Sequence, residues 1–238
     1  MVLRSAGILL SFALTASSAL AYQAPDKAAL QKRVAELKES VAANKAKLAQ
    51  YQWTETVTIL LKGEVKKTEQ NLCKYGPDGK VQKTPMGAPA PPPQQPEGRR
   101  GRMKEKIVEK KVGELKDYGA ELKTLIGQYV PPSRDKIQAA FQAGNASITP
   151  EGGTTSLVFN NYYQQGDKMT FAFDTAAKKI STINVNTYLD QPKDAVTLAV
   201  TFASLPDGTN YAASTDLKAE SKNMEIKTAN SGYQKIAQ

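Results

Sequence analysis

Apolar residues recur at helical spacing near the start of the chain. Leu30, Val34, Leu37, Val41 and Leu48 share one face between Asp26 and Gln50, which predicts an amphipathic helix. Pro25-Asp26 suits its start, with an acid at the positive end of the dipole. The period then changes to two. Tyr51, Trp53, Glu55, Val57, Ile59 and Leu61 alternate with mostly Thr and Gln, which predicts a strand over 51–61. A strand polar on both faces follows from Val65 to Tyr75. Gly76-Pro77-Asp78-Gly79 marks a turn, and a short strand over 80–84 completes three antiparallel strands.

Prolines interrupt the pattern from Pro85 to Arg102. Such a stretch buries too little apolar surface to offset ordering, so a mobile loop is expected at 85–102. Val108, Val112, Leu115, Leu122, Leu125, Ile126 and Tyr129 form one stripe, predicting a second helix from Met103 to Tyr129 that Pro131-Pro132 ends. Ser133 suits the N-cap of a short third helix reaching about Ala143. From Ala146 onward the chain reads as a β meander. Met169, Phe171 and Phe173 alternate with polar or small residues, as do Val196, Leu198, Val200 and Phe202. Turn signals lie between: Gln165-Gly166-Asp167, Pro192-Lys193-Asp194 and Pro206-Asp207-Gly208. About nine strands result, segregated from the helices. The class is therefore α+β: one curved antiparallel sheet, an unclosed barrel, covered by amphipathic helices.

Residues 1–21 read as a secretory signal. Arg4 precedes an apolar run, and Ala19-Leu20-Ala21 fits a cleavage site after Ala21. The expected address is periplasmic or secreted in a bacterium, with residues 22–238 forming a single domain. A chain of this length buries roughly 70% of its unfolded surface, enough for a core without staples. Absences narrow the chemistry. The chain has no histidine and one cysteine, which excludes Ser–His–Asp and Cys–His catalysis, His-ligated zinc and an intrachain disulfide. No phosphate-binding glycine loop is present. No cofactor and no metal site are expected.

The layout resembles the LolA/LolB-like lipoprotein-carrier superfamily. The resemblance rests on Gln50-Tyr51-Gln52-Trp53-Thr54-Glu55 after the first helix, and on Phe171-Ala172-Phe173-Asp174 leading into the strand at 180–188. The stretch from Tyr188-Leu189-Asp190 through Pro206-Asp207-Gly208-Thr209 also resembles a block recurring in secreted bacterial proteins of uncharacterised families. The resemblance implies an unclosed antiparallel barrel with helices across its mouth and an apolar inside that holds acyl chains. The Pro-rich insertion and the basic second helix depart from the simple carriers.

Trp53, Val57, Ile59, Phe171, Phe173, Leu198, Val200 and Phe202 are core positions first. They line a ligand pocket if the sheet curls and the helices leave its inside unfilled. Charge is uneven: only eight of the 32 basic side chains lie beyond residue 145. Arg99, Arg100, Arg102, Lys104, Lys106, Lys110 and Lys111 form the densest basic stretch, a face for anionic lipid or an acidic partner. Acids interspersed along it also fit an ordinary solvated helix. No nucleic-acid-reading motif is present. Glu55 interrupts an apolar face and is expected where that face reaches water. Cys73 reads as an incidental thiol, open to disulfide-linked dimerisation. Asp190 and Asp194 flank a turn but are too few for Ca²⁺. The expectation is a non-enzymatic carrier or binder of a lipid or acylated protein. The alternative is an envelope scaffold with a filled core, working through the basic helix and Pro-rich loop. No oligomeric state follows from the sequence.

Overall fold

The computed structural model describes residues 35, 39, 42–87, 99–151 and 153–236. The expected signal segment, most of the first helix and most of the Pro-rich stretch lie outside the described residues. Residues 42–48 are helical, as the periodicity predicts. Ten strands follow: β1 (Tyr51–Leu61), β2 (Glu64–Tyr75), β3 (Val81–Pro85), β4 (Ala146–Glu151), β5 (Thr154–Asn160), β6 (Lys168–Asp174), β7 (Lys179–Tyr188), β8 (Ala195–Ser204), β9 (Asn210–Ala219) and β10 (Met224–Lys235). A long helix (Arg99–Ile126) and a short one (Arg134–Gln142) separate β3 from β4.

All ten strands form one antiparallel sheet in the order β3-β2-β1-β10-β9-β8-β7-β6-β5-β4. It is a curled sheet that does not close, with β3 and β4 at its edges. The last strand pairs with the first, from Tyr51 opposite Lys235 to Leu61 opposite Met224. That pairing joins the N-terminal hairpins to the C-terminal meander.

The expected strand count is low by one. Pro150 lies within β4 and disguised it, because proline removes a ladder donor. An edge strand tolerates that loss, and β4 is an edge. β10 runs to Lys235, well beyond the expected end near Thr228. Its second half is polar and Gly232 interrupts it, so no alternation announced it. Gly232 takes φ 64° where the pairing with β1 shifts register between Gln52 and Thr54, a backbone conformation glycine adopts without strain.

The long helix begins at Arg99, four residues before the expected start, so Arg99–Arg102 are helical and Pro85 closes β3. It ends at Ile126, and Tyr129 follows in a turn rather than in the helix. Ser133 caps the short helix by accepting from the Lys136 N–H at 3.5 Å. Tyr118, Leu122, Leu125 and Tyr129 meet Leu157, Phe159, Met169, Phe171, Val185 and Leu198 in the main core. Leu122 is wholly buried, which stabilises the helix–sheet contact by about 1.5–3 kcal/mol. Phe159 meets Phe171 edge-on at 5.8 Å. The other face of the sheet carries Thr, Ser, Asn and Lys, the pattern of a sheet covered on one side.

Candidate ligand-binding face

Residues directly opposite in a ladder share a face, so the registers define the inner surface on which the helices pack. On β8 it holds Val196, Leu198 and Val200, and on β7 it holds Ile183 and Val185. On β10 and β1 it holds Met224 opposite Leu61, Ile226 opposite Ile59, Thr228 opposite Val57 and Asn230 opposite Glu55.

The helices fill only part of this surface. Over β5 to β8, Phe171, Phe173, Leu198 and Val200 are buried in the helix-capped core. Phe202 is partly buried against the same core. Over β1 and β2 the inner surface is less enclosed. Val57 and Ile59 are partly exposed and stand outside the core cluster. Directly across β2 from them lie Glu69 and Lys67, respectively. The predicted lining therefore divides: four residues are core, and Val57 and Ile59 border solvent.

Trp53 belongs to a third group at the end of the sheet. It is buried, stacks on Tyr233 at 5.5 Å and 12°, and meets Tyr75 at 5.6 Å. Its indole N–H donates to Asn230 Oδ1 at 3.1 Å. Burial pushes the Tyr233 and Tyr75 phenols up. Helical residues 42–48 sit beside this end. The Asn44 amide donates to the Asn210 carbonyl and accepts from the Asn210 N–H, both at 2.6 Å.

Glu55 does not reach water as expected. It is 7% exposed, and Lys83 Nζ donates to both its oxygens at 2.7 Å. Asn71 adds a longer contact at 3.4 Å. Lys83 is brought there by the hairpin, since it lies opposite Cys73, which lies opposite Trp53. Sequence reasoning missed Lys83, because β2 is polar on both faces and nothing in its pattern fixes the register. Cys73 is fully buried. Burial, reinforced by the Glu55 charge, pushes its thiol up. That buried, protonated state argues against dimerisation through Cys73 in the folded chain.

Lys110 and Lys111 are exposed on the long helix. Arg99, Arg100, Arg102, Lys104 and Lys106 belong to the same helix, but their side chains lie outside the described residues. Further along, Glu114, Asp117 and Glu121 face Asp190 and Asp194 across an open cleft of about 430 Å³. Tyr118, Leu189, Ser221 and Lys222 complete its wall, and Ser221 Oγ lies 2.9 Å from the Tyr118 hydroxyl. Among the described residues no Asp, Glu or Cys group is arranged to hold a metal ion.

No protein-family model and no curated protein matches the chain. Among solved structures, it is similar to a DUF1329 family protein from Desulfovibrio piger, with 10% identity and a TM-score of 0.38. The match covers 85% of this chain and 92% of that one. Among the described residues, no helix is long and apolar enough to cross a membrane.

Proposed function

We propose that this protein is a non-enzymatic binder or carrier of a hydrophobic or acylated ligand in the bacterial cell envelope. The observation that carries the reading is the division of the inner sheet face. The helices cap Phe171, Leu198 and Val200, whereas Val57 and Ile59 are left partly exposed on the same face. A continuous apolar strand face that meets solvent inside a curled sheet suits an acyl chain, because burying each methylene stabilises by about 0.8 kcal/mol. The layout's resemblance to the lipoprotein carriers agrees with this, as does the secretory signal in the sequence. The exposed Lys110 and Lys111 would face an anionic membrane during transfer.

The test is native mass spectrometry with lipid extraction on protein purified from the periplasm of its host. A co-purifying acyl species, lost in Val57→Asp and Ile59→Asp while the fold survives, supports the reading. These positions are better probes than Phe171 or Phe173, whose substitution would break the core. A clean protein mass that takes up no fatty acid, phospholipid or acylated peptide overturns it in favour of an envelope scaffold.

A further inference from the structure

The long helix stands clear of the sheet before its midpoint. Glu109, Lys110, Lys111 and Val112 are all exposed. Four successive residues point to every side of a helix, so no described part of the fold covers that turn. Among the described residues of this helix, burial begins only at Tyr118.

Charge is divided between the two halves. Steps of three and four residues keep to one side of a helix. One such line runs Arg99, Met103, Lys106, Lys110, Glu114, Asp117, Glu121. It is basic up to Lys110 and acidic from Glu114 onward. Glu114, Asp117 and Glu121 are exposed, and among the described residues none of them is in an ion pair. Asp190 and Asp194 stand across the cleft from them, with Lys222 as the ammonium on its wall. The acidic half therefore keeps an excess of negative charge.

A line that changes sign at its midpoint fits an inverted copy of itself. Two parallel copies would set base on base and acid on acid. Two antiparallel copies set base on acid along the whole line. With the two-fold axis at the level of Val112, Lys110 of each copy comes opposite Glu114 of the other. Lys106 comes level with Asp117 to within one residue, and Met103 with Glu121. We propose that the protein forms a two-fold dimer through its long helices, the basic half of each lying along the acidic half of the other. This pairing does not depend on the ligand-binding reading. It competes with a membrane for Lys110, whereas Lys111, about 100° round the helix, stays open.

The experiment is sedimentation velocity of the purified chain at about 50 mM and about 500 mM salt. A dimer is expected at the lower salt, weakened about tenfold or more at the higher. Lys110→Glu and Glu114→Lys each place like charges opposite one another twice per dimer. Each alone should weaken association about tenfold or more, with helix content by circular dichroism unchanged. An equimolar mixture of the two variants restores opposite charges at both contacts and should dimerise as tightly as the parent, which misfolded chains would not do. A dimer indifferent to both variants, or a mixture that fails to associate, overturns the proposal. A chain that stays monomeric at low salt also overturns it and leaves the basic half to an anionic membrane.

Discussion

The Tyr129 hydroxyl donates to Asp167 Oδ2 across 2.6 Å in the interior of the protein. The same carboxylate accepts the backbone N–H groups of Tyr162, Tyr163 and Gln164. One side chain thereby ties the exit of the long helix to the loop between β5 and β6. Thr187 on β7 joins the network, 2.7 Å from the Tyr129 hydroxyl. Asp167 is 2% exposed, and its bonds to the Tyr129 hydroxyl and the Tyr162 N–H are themselves buried. Tyr129→Phe is expected to cost about 1–3 kcal/mol, and Asp167→Ala more, because it removes all four bonds at once and leaves the buried Tyr162 N–H without its acceptor. Urea unfolding monitored by circular dichroism measures both. Equal midpoints for Tyr129→Phe and the parent would show that the network does not hold the helix.

Burial, and then the hydrogen bond to Asp167, hold the Tyr129 phenol well above its usual pKa. A raised acid pKa contributes stability that is complete below the unfolded value, near pH 10, and is lost as pH rises beyond it. Asp207 works in the opposite direction. Tyr51 donates to it at 2.6 Å, the Thr209 N–H donates at 3.0 Å, and Lys235 stands 3.7 Å away. These bonds hold its carboxyl well below the usual 3.8. Its contribution is present above about pH 4 and is lost as pH falls through the lowered value. Asp207→Asn should therefore flatten the acid limb of the thermal midpoint against pH, and it should also soften the alkaline limb, because the hydrogen bond to Asp207 holds the Tyr51 phenol up. Parallel acid limbs for the two proteins would remove Asp207 from the account.

Most of the framework was legible where burial is one-sided. The alternation Val196, Leu198, Val200, Phe202 reads directly as β8, since each apolar residue faces the helices. The stripe Leu122, Leu125, Tyr129 reads as a buried helix face, although Tyr129 serves from the turn beyond it. What stayed hidden depends on register or on an edge. β4 carries Pro150 and borders no second strand, so its polar pattern resembles a loop. Lys83 and Glu55 meet because three strands align 55 with 71 and 73 with 83, an alignment that a strand polar on both faces cannot announce. Asp167 reads as a turn residue, and its partner lies 38 positions away.

The Glu55–Lys83 pair can be weighed by a double-mutant cycle. Lys83 is half exposed while Glu55 is nearly buried, so the two ends of the pair respond differently to removal. Lys83→Met leaves the Glu55 carboxylate with only the long Asn71 contact at 3.4 Å, on an inner face lined by Trp53 and Cys73. That loss is expected to destabilise the fold by about 1–3 kcal/mol, the upper end tempered by solvent screening of the ammonium. Glu55→Gln removes the charge that needed a partner and should cost about 1 kcal/mol. Once Glu55 is neutral, Lys83 has little left to compensate, so the double variant should be more stable than the sum of the single losses implies. A coupling of about 1 kcal/mol in urea unfolding is the expected reading. Additivity within about 0.3 kcal/mol would mean that the pair is held in place by the hairpin rather than stabilising it.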